Sequence, residues 1–114
     1  TRAAMEIMTR IAKDPEKTKA YEAEVNETKM MLRRRADAFV KAAQEVGLEI
    51  LPYRDGFFVS IPCKDAKKAS DELIKENMFV VALKKGLRFA VCGVSEEKCR
   101  IAPAIIKSVL DRME

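Results

Sequence analysis

The stretch Lys84-Lys85-Gly86-Leu87-Arg88-Phe89-Ala90-Val91-Cys92-Gly93 decides how the chain is read. It has the period of a β-strand, entered through a Lys-Lys-Gly turn and closed by Gly93. Leu87, Phe89 and Val91 fall on one face, and Arg88, Ala90 and Cys92 on the other. Both faces are small or apolar, as in a strand covered on two sides, except for one guanidinium. Arginine does not shed its charge, so burying it calls for an anion in planar, bidentate geometry. No acid stands close before Arg88, and the next ones after it are Glu96 and Glu97. Two readings follow. Either Arg88 lies at an exposed strand end or pairs with a distant carboxylate, or its anion is a ligand.

Composition narrows the field. A chain of 114 residues, 48% hydrophobic and 35% charged, buries about two-thirds of its unfolded surface, enough for one core without metal or disulfide staples. One compact domain over residues 1–114 is expected. No apolar run nears the roughly 20 residues that cross a bilayer, so no membrane role is expected. Position 1 is Thr rather than an initiator Met, and no signal-peptide pattern follows, so the sequence is expected to be a piece of a longer chain or a processed one. The 22 basic and 18 acidic residues are interspersed, a mild excess of +4. Arg33-Arg34-Arg35 is the one basic triplet, but it sits in a helical pattern whose consecutive positions diverge, and no basic stripe interleaved with aromatics accompanies it. Nucleic acid is not the expected partner.

Cys63, Cys92 and Cys99 form no Cys-x-x-Cys and are odd in number, which fits reduced thiols packed as small hydrophobes and a cytoplasmic protein. The chain has no histidine. That removes Ser-His and Cys-His nucleophiles, most zinc sites and imidazole acid/base chemistry. Its four glycines make neither a phosphate loop nor a dinucleotide fingerprint. A self-contained enzyme is not expected.

Outward from the Arg88 strand, Met78-Phe79-Val80-Val81-Ala82-Leu83 has almost no polar relief and reads as a central strand. Before it, Asp65 caps a helix to about Asn77 with Ala66, Ala69, Leu73 and Ile74 inward. Earlier still, Leu48-Glu49-Ile50-Leu51-Pro52-Tyr53 reads as an edge strand, joined through Arg54-Asp55-Gly56 to Phe57-Phe58-Val59-Ser60-Ile61 as a hairpin. Phe57, Val59 and Ile61 should share one face. Residues 2–13 carry Ala4, Ile7, Met8 and Ile11 at helical spacing, and Asp14-Pro15-Glu16 opens a second helix that runs to Val46, stopped by Gly47. Its inward stripe is Tyr21, Val25, Thr28, Leu32, Ala36, Phe39, Ala43 and Val46. Straight, it would span about 48 Å against a radius of gyration of about 13 Å for a domain of this size. It either overhangs its domain or bends near Asn26 to Thr28. Downstream, because Pro103 would break an interior helical bond, Ser95 is expected to cap a short turn to Cys99, followed by a helix to about Arg112 that buries Ile101, Ile105 and Val109, with Ile106 beside them. The order α, α, β, β, α, β, β, α predicts an α+β fold, a small mostly antiparallel sheet of about four strands packed with helices.

Two ordered motifs now stand out, Gly56-Phe57-Phe58-x-x-x-Pro62 and Gly86-x-Arg88, separated by a helix and a strand and preceded by a long helix with Arg35, Phe39 and a Gly47-Leu48 ending. Together they resemble the C-terminal, small domain of class I aminotransferases, the pyridoxal-phosphate enzymes related to aspartate and aromatic amino-acid aminotransferases. The resemblance covers essentially the whole chain. It implies that Arg88 binds the substrate α-carboxylate, that Phe57 or Phe58 lines the cleft (a core role being the other reading of each), and that residues 15–46 form an interdomain helix. It also implies a parent that moves an amino group between an amino acid and a 2-oxo acid, commonly as a homodimer. The Schiff-base lysine and phosphate-binding groups would belong to that parent's N-terminal large domain, so the piece alone is expected to be inactive. A free-standing α+β module that recognises a small carboxylate through Arg88 is the alternative.

Overall fold

In the computed structural model, which describes residues 1–114, the Arg88 stretch is the middle strand of a three-stranded antiparallel sheet. The elements in order are α1 (Arg2–Lys13), α2 (Pro15–Val46), β1 (Phe58–Pro62), α3 (Ala66–Lys75), β2 (Val81–Leu83), β3 (Gly86–Ala90), a 3-10 turn (Val91–Gly93) and α4 (Glu96–Met113). The sheet order is β1-β3-β2. The α+β class is as expected. The chain divides into two compact units, Thr1–Met31 and Leu32–Glu114.

Helix boundaries follow their local chemistry. The Asp14 carboxylate accepts from the Glu16 and Lys17 amides at 3.0 and 3.2 Å, satisfying donors that the first turn of α2 leaves free. Asp65 does the same for Lys68 at 3.0 Å, and Ser95 for Lys98 at 3.3 Å. At the end of α2, Gly47 takes φ +68°. Its N–H reaches the Gln44 carbonyl, and the Leu48 N–H reaches back to that of Ala43 at 2.8 Å, a Schellman closure that only a left-handed residue completes.

In the unit Leu32–Glu114 the core lies against one face of the sheet. Val59 and Ile61 from β1 and Leu87 and Phe89 from β3 pack with Ala36, Phe39 and Ala43 of α2, Leu73 of α3 and Ile106 and Val109 of α4. The Phe39 and Phe89 rings meet at 4.6 Å between centroids, tilted by 30°. Close packing also governs β3 itself. A Cβ on Gly86 would run into the Ile61 carbonyl oxygen of the neighbouring strand.

In the unit Thr1–Met31, the Thr18 hydroxyl donates to the Ile11 carbonyl at 2.7 Å. No residue of α1 is buried, and Met5, Ile7 and Met8 are exposed. Tyr21 and Thr28 of the expected inward stripe are exposed too, and Val25 is half-buried. The buried residues of α2 are Ala36, Phe39, Ala42 and Ala43. Residues 26–28 are helical like the rest of α2.

The structure corrects several local expectations. Leu48–Tyr53 forms no strand. One bond, from the Leu51 N–H to the Ser60 carbonyl at 2.9 Å, links it to β1, and Pro52 has no donor with which to extend that pairing. The sheet therefore has three strands, and β1 pairs with β3 rather than closing a hairpin. Phe57 lies outside β1 in a bend and is exposed, not on the Val59 face. The apolar run before Leu83 yields an edge strand, not a central one, because β3 takes the middle place; Met78 and Val80 pack on the core while Phe79 is 77% exposed. Pro103 lies inside one continuous α4, where its ring is fully buried and the apolar contact offsets a single missing helical bond. That phase buries Ile106 and Val109, leaves Ile105 half-buried and turns Ile101 outward. Ile74 is likewise exposed, with α3 ending at Lys75.

Gly86→Ala is expected to cost about 1–3 kcal/mol or more, since backbone rather than a mobile side chain must give way. Urea denaturation measures it, and a change below about 0.5 kcal/mol would contradict the close approach.

Candidate functional site

Alternation along β3 sends Leu87 and Phe89 into the core and Arg88 to the opposite face. Registration places Ser60 of β1 and Val81 of β2 directly across from Arg88, and Phe58 across from Ala90. Residues paired in this way share a face. The second face thus carries Phe58, Ser60, Arg88, Ala90, Val81 and Leu83, and it is open: Val81 is 53% and Phe58 42% exposed. The expectation that β3 is covered on both sides holds for one side only.

Arg88 is half-buried there. Neither an ion pair nor a side-chain hydrogen bond engages its guanidinium. The Phe58 ring lies beneath it, with the guanidinium carbon 5.1 Å from the centroid. Of the other arginines in this unit, Arg34 is exposed and likewise without an ion pair or hydrogen bond, Arg54 lies 4.0 Å from its neighbour Asp55, and the rest are occupied. Arg33 pairs with Asp37 at 3.3 Å and donates to the Arg54 carbonyl at 3.2 Å. Arg35 donates to the Cys92 carbonyl at 3.0 Å, and Arg100 and Arg112 pair with Glu96 and Glu76. Two members of the basic triplet therefore hold loops. Sequence reasoning missed both ties, because the partners stand 21 and 57 positions away. Phe57 and Phe58 separate: the first lies in the bend before β1, the second beside Arg88.

Comparisons with known proteins bear on the family and the fold. The family profile "Aminotransferase class I and II" matches residues 1–106. The chain belongs to that family. A crystal structure of an aminotransferase from Anaerococcus prevotii is similar over 97% of this chain at 39% identity and a TM-score of 0.92. A crystal structure of an aromatic aminotransferase from Pyrococcus horikoshii, 24% identical, shares the fold over 91% of the chain with a TM-score of 0.62. The chain spans 27% and 30% of the lengths of these two proteins. No curated protein sequence matches it.

The aminotransferase family works with pyridoxal phosphate, and the residues of this chain by themselves do not fit that group. Every lysine is exposed except Lys107, which is half-buried and held by Asp111 at 2.7 Å. No polar or charged side chain is buried, so nothing here offers a desolvated Schiff-base amine or an acid for a pyridine nitrogen. No group of acids and cysteines is placed to hold a metal ion, and no helix is long and apolar enough to cross a membrane.

The thiols differ in environment. Cys92 is exposed, Cys63 half-buried and Cys99 buried. Burial pushes the Cys99 thiol up, with Arg35 opposing and Glu96 adding to the shift. The folded thiol thus titrates above the unfolded one, so stability associated with its protonated form is lost as pH rises through the alkaline range. With iodoacetamide at pH 8, Cys92 is expected to react first, Cys63 more slowly, and Cys99 only after unfolding in urea. Peptide mass spectrometry reads the order, and early labelling of Cys99 would refute its burial.

Proposed function

We propose that this chain is the small domain of a pyridoxal-phosphate aminotransferase and that Arg88 holds the α-carboxylate of the amino-acid or 2-oxo-acid substrate. The reading rests on one observation: a guanidinium on the open sheet face of a family member, with no anion of its own chain. Two in-plane N–H donors match the two oxygens of a carboxylate, which lysine cannot reproduce. The contact orients the substrate as well as binding it, because a bidentate grip at one end restricts how the α-carbon can turn. In this reading the cofactor-binding residues belong to a large domain N-terminal to this segment. Residues 15–46 connect the two, and the parent is a homodimer. Closure of the small domain over the cleft would bring Arg88 to the substrate and exclude water. The isolated segment would be inactive, as it lacks the groups that make the chemistry.

Arg88→Ala in the full-length enzyme is expected to lower kcat/KM for amino acids on the order of 100-fold or more, from two charge-assisted bonds of about 1.5–3 kcal/mol each. Arg88→Lys should recover little of it, and an amine lacking the carboxylate should lose far less than the amino acid. Equal losses for both substrates, or no loss, would overturn the assignment.

A further inference from the structure

An arginine side chain without an ionic or hydrogen-bonded partner samples many rotamers, and a receptor arginine that must be ordered anew for each substrate binds more weakly. Arg88 has no such partner, yet it is not without support. The Phe58 ring lies within the distance at which an aromatic face attracts a guanidinium, about 6 Å from the centroid. Phe58 is itself placed by backbone pairing with Ala90, whose methyl is the only side-chain group directly across from it on that face. Arg88, two positions before Ala90, is its diagonal neighbour, within reach of an aromatic side chain.

The chemistry of the contact matters. A carboxylate or carbonyl partner would occupy the in-plane N–H donors of Arg88, whereas a ring engages the cation through its π-face. Such support restrains the side chain while leaving its donors free for an incoming anion. We propose that Phe58 is a positioning residue that holds Arg88 ready for the substrate carboxylate. The inference rests on the carboxylate role of Arg88. It assigns Phe58 a function through Arg88 rather than through contact with substrate.

The test uses the full-length enzyme with an α-amino acid substrate and four variants: Phe58→Leu, Phe58→Tyr, Arg88→Leu and the double variant Phe58→Leu/Arg88→Leu. Phe58→Leu keeps apolar bulk but removes the π-face. It is expected to raise KM about 2- to 30-fold, with kcat changed by less than about twofold. Phe58→Tyr, which keeps a π-face, should restore the wild-type KM. In the Arg88→Leu background, Phe58→Leu should add no further loss in kcat/KM, the signature of one residue acting through another. If the leucine and tyrosine variants behave alike, or if the Phe58→Leu loss persists without Arg88, the positioning role is overturned. If Arg88→Leu alone leaves amino-acid kinetics unchanged, the carboxylate reading falls and this inference with it. A loss at Arg88 with none at Phe58→Leu removes this inference alone.

Discussion

The pairing of Ser60 with Arg88 and of Arg88 with Val81 is the constraint on which the site depends. A strand has only two faces, and a slip of one residue would exchange them. Leu87 and Phe89 hold the register from below, since turning them outward would forfeit two of the largest buried side chains of the core. The ring contact between Phe39 and Phe89 ties the same strand to the helix beneath it. Gly86 lets β1 approach closely enough for the pairing to start at that end. The position of one guanidinium is thus determined by the packing of its neighbours on the other side of the sheet.

What surrounds Arg88 is as informative as where it sits. Arg33 and Arg35 close loops, and Arg100 and Arg112 meet carboxylates, each giving the fold a link at modest energetic gain because the pairs are solvent-exposed. Arg88 contributes no comparable link. A half-buried cation kept off the carboxylates of its own chain is poorly explained by stability, and that is what supports the proposal of an external anion. The aromatic face of Phe58 is a partner that supports the charge without neutralising it.

The two units make different use of the same pattern. In the unit Thr1–Met31 apolar side chains recur at helical spacing, yet Met5, Ile7, Met8 and Tyr21 stay exposed. In the unit Leu32–Glu114 the continuation of α2 buries Phe39 and three alanines. Helical period alone does not distinguish these cases, because it reports the direction of a face and not whether anything lies opposite.

Local chemistry made much of the chain legible in advance. Asp14, Asp65 and Ser95 cap helices where their short polar side chains meet free amides, and Gly47 ends α2 because it accepts a left-handed backbone. The α+β class, the alternation around Arg88 and the absence of a nearby acid could all be read from order and spacing, and the two motifs pointed to the family. Strand order could not. Leu48–Tyr53 looked like a strand and is not one, and Val81–Leu83 looked central and is an edge, because pairing is chosen between segments far apart in sequence. Pro103 looked like a break and is buried within α4, since core contact there outweighs one lost bond. The sequence by itself determined where helices begin and end and which side chains alternate, as these depend on neighbours a few residues away. Only tertiary structure decided that the second sheet face stays open and that Phe58 meets Arg88, because both are outcomes of packing between segments that share no local signal.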